Sequence, residues 1–578
     1  MFEQNLQPVG DSLFLSALCG AIPLITLFVL LGGLRLKAWM AGLISLLVAI
    51  LVAVVLFEMP VGQALLAGTE GAAFGFFPIL WIVINAIWVY NLTVASGHFD
   101  VLRRSFEKVS PDQRIQAIII AFCFGALLEA LAGFGTPVAI TVVMLMALGF
   151  QPIKAAAVAL IANTAPVAFG ALATPIVTLA EVSSGASNDP GLTVDTLGAM
   201  VGRQTPILAV VVPLVLVFVV DGRRGVKQTW VPALVCGVAF GLAQFVAANY
   251  ISVPLADIVA ALVAAGAVVL LLRVWQPAEV LAAEPSGSPS GAGTPEGATV
   301  GARSDETTVS GGSGAGRSGA STGAGGVVHD SGAEVAKAYA PYVIIIAIFS
   351  ITNITAVKEF LAEKPFTYAF QWPGLDVFNT SGEPVASTMF NFNWLPAAGT
   401  LMIIAGIITA VILKLSPAQA LKTYVETYVE LKSAIITVMA VLALAYVMNL
   451  SGQTTSLGAW LAGAGAAFAI LSPILGWIGV AVTGSDTSAN ALFGALQVQT
   501  ATEAGLDPVL MAAANSSGGV LGKMVSPQNL AIAAAAVGMA GREGDIFRKV
   551  IGWSLGLLVL MCVIVYLQST PVLDWMVP

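Results

Sequence analysis

The sequence predicts an all-α polytopic membrane protein built as an inverted repeat, with about twelve transmembrane helices, two re-entrant hairpins and two broken helices. Three observations predict it. Of the 578 residues, 58% are hydrophobic and only 10% charged, with a mean hydropathy of +0.92, which is too apolar for a soluble globular chain. Apolar runs long enough for a bilayer of roughly 30 Å recur along the whole chain. Weak identity also returns at one near-constant offset, as an internal repeat leaves it.

Crossings are expected near 13–33, 38–57, 76–96, 152–180, 205–220, 230–249, 253–274, 341–357, 394–413, 433–450, 508–535 and 550–567. The first is preceded by Glu3 and Asp11 and followed by Arg35 and Lys37, the reverse of a signal peptide, so it is expected to stay with the N-terminus outside. Basic loops at Arg103, Arg104, Lys108 and Arg114, at Arg223, Arg224 and Lys227, at Lys414, Lys422 and Lys432, and at Arg542, Arg548 and Lys549 mark the cytoplasmic face. Both termini then fall outside.

A net charge of -8 argues against nucleic-acid partners. Cys19, Cys123, Cys236 and Cys562 lie in apolar segments without metal-ligand or CxxC spacing, so they read as small hydrophobes, and neither metal nor cofactor is expected. His98 and His329 fall in a loop and a linker and read as solvated.

Residues 277–336 change character. Gly, Ser, Ala, Thr and Pro without periodicity cannot form a core, so this stretch reads as a disordered cytoplasmic linker. "GGSGAG" within it mimics a phosphate loop, but neither the strand nor the helix that such a loop needs flanks it. The linker divides the chain into a first repeat at 1–229, an extra helix pair at 230–276, and a second repeat at 337–578.

The halves align. "VGQALLAGTEG" at 61 matches "PAQALKTYVET" at 417, "YNLTVASG" at 90 matches "YVMNLSG" at 446, and "NTAPVAFGALATP" at 163 matches "NSSGGVLGKMVSP" at 515. In this register "AGFGTPVA" faces "TGSDTSAN" at 483–490. Each lies between apolar arms too short for comfortable separate crossings, near 115–132 and 137–149, and near 473–483 and 488–499. Re-entrant hairpins fit the charges, placing the acidic loop at Glu181, Asp189 and Asp195 outside. Five crossings per half then invert the second half, and the extra pair preserves that inversion.

Non-helical backbone survives at membrane depth only where protein shields it or a cavity borders it. Two hairpin tips meeting two broken crossings make such a cavity, and restarting helices offer N–H groups and positive dipole ends to a small anion. The candidate binding residues are Gly133, Gly135, Thr136, Asn163, Thr164, Ser485, Thr487, Ser488, Asn490, Asn515, Ser516, Ser517 and Lys523. Small residues also let membrane helices pack closely, but four such stretches paired across a repeat point to a shared site. Glu129 and Asp486 are the candidate proton carriers, since a carboxylate in an apolar site is suited to hold a proton. Lys523, aligned with Ala171, is expected to meet a substrate carboxylate or to neutralise Asp486.

"GALLEALAGFGTPVAI", "IANTAPVAFGALATPI", "TGSDTSANALFG" and "NSSGGVLGKMVSPQNLAIA" resemble signature segments of the bacterial L-lactate permease family, and the resemblance covers essentially the whole chain outside the linker. It implies proton-coupled uptake of L-lactate, with D-lactate and glycolate as further substrates, in the cytoplasmic membrane. More distantly the chain is similar to the ion transporter superfamily of dicarboxylate carriers, which implies a scaffold domain, a mobile domain with two hairpins, and often a homodimer. That superfamily's tip motifs resemble Thr487-Ser488-Ala489-Asn490 loosely.

Three other classes compete, of which a channel is disfavoured because inverted repeats with discontinuous helices favour a carrier. A sodium-coupled carrier of small mono- or dicarboxylates would share the architecture but need sodium and a more basic site. An enzyme is disfavoured, because a serine nucleophile needs a base beside it and no histidine lies in an expected span. The loop at 358–393, rich in aromatics, is expected to form a lid or short hairpin over the outer mouth.

Overall fold

A computed structural model describes residues 1–133, 135–187, 189–281 and 330–578. Most of the expected linker, with His329 and the phosphate-loop mimic, lies outside the described residues. Among those described, ten helical segments are long and apolar enough to cross a membrane, and the chain is an all-α polytopic membrane protein.

The first half runs Leu13–Gly33 (α1), Ala38–Val55 (α2), Val61–Ala95 (α3), His98–Glu107 (α4), Gln113–Ala132 (α5), Thr136–Ala147 (α6), Pro152–Ala162 (α7), Thr174–Ser184 (α8) and Val194–Ile251 (α9). The helix α9 breaks at Asp221, Gly222 and Thr229, so two expected crossings share it, and Val253–Leu271 (α10) completes the extra pair. The second half runs Gly332–Thr352 (α11), Thr355–Ala362 (α12), Ala398–Ile412 (α13), Pro417–Leu450 (α14), Gln453–Leu461 (α15), Phe468–Thr483 (α16), Asp486–Ala504 (α17), Pro508–Gly519 (α18), Pro527–Ala536 (α19) and Glu543–Gln568 (α20). Thus α3 through α9 find counterparts in α14 through α20 in the same order.

Several helices begin earlier than hydropathy suggests, because polar first turns carry no apolar signal. Ser416 and Gln419 form a capping box that starts α14 at Pro417. Ser331 caps the Glu334 N–H and starts α11 inside the expected linker. The linker's first residues are also tied down: Gln113 N–H donates to Leu281 O at 2.9 Å, and Arg114 donates to Glu279 O at 2.6 Å. His98 is not solvated, since its ring meets Glu334 at 3.1 Å and joins α4 to α11. Nor is Glu181 in a loop, because it sits in the last turn of α8.

One face carries a small cap. Strand β1 (Phe2–Glu3) pairs in parallel with β3 (Val377–Phe378), and β2 (Tyr368–Gln371) pairs antiparallel with β4 (Met389–Phe392). Phe370 and Phe390 pack at 5.6 Å across that hairpin. Gln63 at the start of α3 donates to Gly374 O in this cap at 2.9 Å, whereas Gln4 donates to Asn449 O at the end of α14 at 2.8 Å. Equivalent helices therefore run in opposite directions relative to one face.

Two groups of helices result. The helix α14 packs on α2 and α3, and α13 packs on α3, while Leu47, Leu51, Val55, Leu421, Val425 and Val429 turn outward as a lipid-compatible surface. The second group interlocks the halves: α17 lies on α8, and α19 on α6. In it, the most apolar stretch of α5 is wholly enclosed by protein, and the helix also carries the buried polar groups Arg114, Gln116 and Glu129. Two helices of the second half, α16 and α18, approach each other very closely. A Cβ on Gly476 of α16 would lie 2.0 Å from Asn515 O, and one on Gly518 of α18 would lie 2.3 Å from Pro473 O, so the two backbones are in contact. Gly476→Val should cost about 1–3 kcal/mol by overpacking, read as a lower melting temperature and loss of the monodisperse peak in size-exclusion chromatography.

Candidate functional site

Four helix starts converge on the interlocked group, and they are capped unequally. Gly135 (φ 87°) and Gly484 (φ 75°) turn the chain between α5 and α6 and between α16 and α17, a left-handed conformation that glycine adopts without penalty. The Ser485 side chain accepts from Ser488 N–H and caps α17, and Ser526 caps α19 through Asn529 N–H. The starts of α6 and α8 carry no side-chain cap. Ahead of α8, Leu172 (φ 49°) and Ala173 (φ 60°) are left-handed without being glycine, costing about 1–2 kcal/mol each. Non-glycine strain of this kind concentrates where the surrounding fold over-determines the backbone.

Two polar clusters are built there. In the first, the Lys523 ammonium donates to Glu129 Oε1 at 2.7 Å, and Asn163 Nδ2 donates to Glu129 Oε2 at 3.0 Å. Glu129 is 3% exposed and Lys523 6%. The partner of Lys523 is therefore Glu129 on α5, not Asp486, although Lys523 lies within electrostatic reach of Asp486. Of the three N–H donors on an ammonium, one is directed to Glu129, and no other protein acceptor is found among the described residues.

In the second cluster, Asp486 Oδ2 accepts from Ser516 Oγ at 2.6 Å and from Asn490 Nδ2 at 3.3 Å. Asn515 Nδ2 donates to Asn490 Oδ1 at 2.9 Å, and Asn490 also donates to Pro175 O at 3.1 Å. Behind them Gln497 Nε2 donates to Asn515 Oδ1 at 3.0 Å. Gln497 escaped the sequence reading, yet it lies two turns along α17 from Asn490 on the same face, a spacing that helical period makes legible.

The clusters are related by the repeat. Each hairpin carboxylate takes a donor from the end of the next helix in its own half, Asn163 for Glu129 and Ser516 for Asp486. Each hairpin also reaches the broken crossing of the other half: Glu129 to Lys523, and Asn490 to Pro175.

The remaining candidates distribute as follows. Gly133 ends α5, where a Cβ would lie 3.3 Å from Glu129 Oε1, and a Cβ on Gly135 would lie 2.3 Å from Ile532 on α19. Thr136 opens α6, and its N–H donates to Gly133 O at 3.3 Å. Thr164 turns back on its own helix, donating to Ile161 O at 2.7 Å. Thr487 and Ser488 sit in the first turn of α17. Three buried polar atoms, Asn163 Oδ1, Ser517 Oγ and Asp486 Oδ1, have no hydrogen-bond partner among the described residues. Buried polar atoms are normally paired, so these three hold unused hydrogen-bonding capacity.

Breaking the Glu129–Lys523 pair singly leaves a buried charge and should cost about 3–5 kcal/mol. Glu129→Gln combined with Lys523→Met should recover most of that loss, measured by thermal unfolding of the detergent-solubilised protein as a double-mutant cycle.

A family profile described as L-lactate permease matches residues 16–572. The L-lactate permease of Bacillus subtilis (strain 168) is 40% identical over 595 residues, covering 100% of both chains. The glycolate permease GlcA of Escherichia coli (strain K12) is 42% identical over 581 residues, covering 98% of each. The L-lactate permease of Salmonella typhimurium is 38% identical over 590 residues, again covering 100% of both.

Proposed function

The chain belongs to the L-lactate permease family, and from that premise we propose that it takes up L-lactate, with D-lactate and glycolate as further substrates, together with a proton across the bacterial cytoplasmic membrane. It is a secondary transporter, not an enzyme. The observation that carries the coupling is the buried Glu129–Lys523 pair at 2.7 Å.

A carboxylate substrate entering this site meets one buried ammonium whose remaining donors are uncommitted. When the substrate anion takes Lys523, Glu129 loses its counter-charge inside an apolar enclosure. An unpaired charge there is costly, so a proton replaces the ammonium. Anion and proton then load together, and neither is favoured alone. The substrate hydroxyl finds an acceptor in Asn163 Oδ1 and a donor in Ser517, and the uncapped starts of α6 and α8 add positive potential. The tip and crossing residues Gly133, Gly135, Thr136, Thr164, Ser485, Thr487, Ser488, Asn490, Asn515 and Ser516 complete the small pocket. Asp486, with no cation bonded to it among the described residues, is the second candidate carrier.

We read the two halves as five crossings each plus the extra pair, twelve in all, with α5–α6 and α16–α17 as re-entrant hairpins. Both termini face outside and the linker faces the cytoplasm. The opposed directions of α3 and α14 support this reading, as do the basic groups opposite the cap. Alternating access follows if the interlocked hairpin group moves against the group around α14.

The test is uptake of labelled L-lactate into proteoliposomes under an imposed pH gradient, with and without sodium. Wild-type uptake should follow the proton gradient and ignore sodium. Lys523→Met should raise KM at least ~10-fold, corresponding to about 1.4 kcal/mol of binding, while Glu129→Gln should abolish stimulation by the gradient. If Asp486 is the carrier, Asp486→Asn produces that loss instead. Uptake that requires sodium and ignores the pH gradient would overturn the proton mechanism.

A further inference from the structure

We propose that Asp257 is a further carboxylate on the proton path, exchanging its proton with Glu129 from the outer side of the extra helix pair. The proposal rests on the proton-symport reading and concerns a residue that lies outside both polar clusters.

Asp257 is the second residue of the α-helical part of α10, Ala256–Leu271, and is 1% exposed. Acidic residues are common in first turns because they cap or face the positive dipole, but the Asp257 side chain does not cap this helix. It crosses to the neighbouring segment of α9, where Gln244 Nε2 donates to Oδ1 at 2.8 Å. Gln244 Oε1 in turn lies 3.0 Å from the Thr205 hydroxyl. The other oxygen, Oδ2, is buried without a hydrogen-bond partner among the described residues. An amide would satisfy Gln244 equally well. What a carboxylate adds is the ability to gain and lose a proton.

The surroundings connect Asp257 to Glu129. The start of α10 packs on the strained segment 171–173, that segment packs on α5, and α10 itself packs on the end of α5 that carries Glu129. Close approach is built in: a Cβ on Gly198 of α9 would lie 2.5 Å from Val253, the first residue of α10.

The charged and titratable neighbours are few. From α5, on which α10 packs, comes Glu129. From α9 come neutral Gln244 and Thr205, while Arg203 is committed to Asn249 at 3.0 Å and to Met576 O at 2.9 Å. Segment 171–173 is apolar. From α11, Tyr339 lies beside Leu262 and Ala265, more than a turn further along α10. No cation neutralises Asp257 among these neighbours, so it exchanges protons rather than holding a fixed pair. The step balances simply: Asp257 acid and Glu129 carboxylate become Asp257 carboxylate and Glu129 acid.

The experiment compares Asp257→Asn and Asp257→Glu with wild type in the same proteoliposomes, in two modes. One is uptake driven by a pH gradient, which needs net proton entry. The other is exchange of internal for external lactate at equal pH, which needs none. Asp257→Asn should lower gradient-driven uptake about tenfold while leaving exchange within about twofold of wild type, and Asp257→Glu should restore much of the driven rate. An unchanged ratio of the two modes in Asp257→Asn would overturn the proposal, whether both rates stay normal or both fall together. If wild type itself shows no response to the pH gradient, the symport reading fails and this proposal with it, a result visible before any variant is measured.

Discussion

A carboxylate and an ammonium buried together in an apolar enclosure hold this molecule to one arrangement. Glu129 and Lys523 lie 394 positions apart, and each would be expensive alone. Their contact requires the end of α5 to meet the segment between α18 and α19, which fixes one half against the other. The reverse contact, Asn490 on Pro175 O, does the same from the opposite side. Close helix contacts such as Gly476 on Asn515 then follow as packing around a registered polar centre.

Broken backbone is the second requirement of that centre. An intact helix spends its N–H and C=O groups internally and can present only side chains, whereas a helix that restarts within the protein presents backbone donors. The halves handle those donors differently. In the second, Ser485 and Ser526 occupy them. In the first, the starts follow left-handed Gly135 and Ala173 and remain uncapped. The positive end of the site is thus concentrated in the first half, apart from the Lys523 ammonium, which the second half contributes.

Much of this was legible in the chain. Gly, Pro and Ser in an apolar context marked the chain breaks at 133–136, 171–173, 484–485 and 520–526, and the repeat aligned them. The partner of Lys523 was not legible. Alignment sets it against Ala171 and says nothing of helix rotation, so Asp486 or a substrate carboxylate was expected there, and Glu129 was not among the expected partners. Helix starts at Val61, Gly332 and Pro417 were missed because their first turns are polar and solvated. His98 was misread for a related reason: its partner Glu334 is distant in sequence, and only packing of α4 on α11 joins them. Asp257 drew no reading from the sequence, since only the folded chain brings its side chain to Gln244.

The unequal placement of the charged groups bears on how such a chain can arise from duplicated halves. Where the second half has Lys523 the first has Ala171, so the first half carries the acid Glu129 but no base to meet it. Two free copies of the first half, associated head to tail, would enclose two carboxylates and no cation. The pair exists only when unlike halves meet, and carrying both on one polypeptide guarantees that meeting at a one-to-one ratio. Once the base was confined to one half, two identical copies of either half could no longer build the Glu129–Lys523 pair.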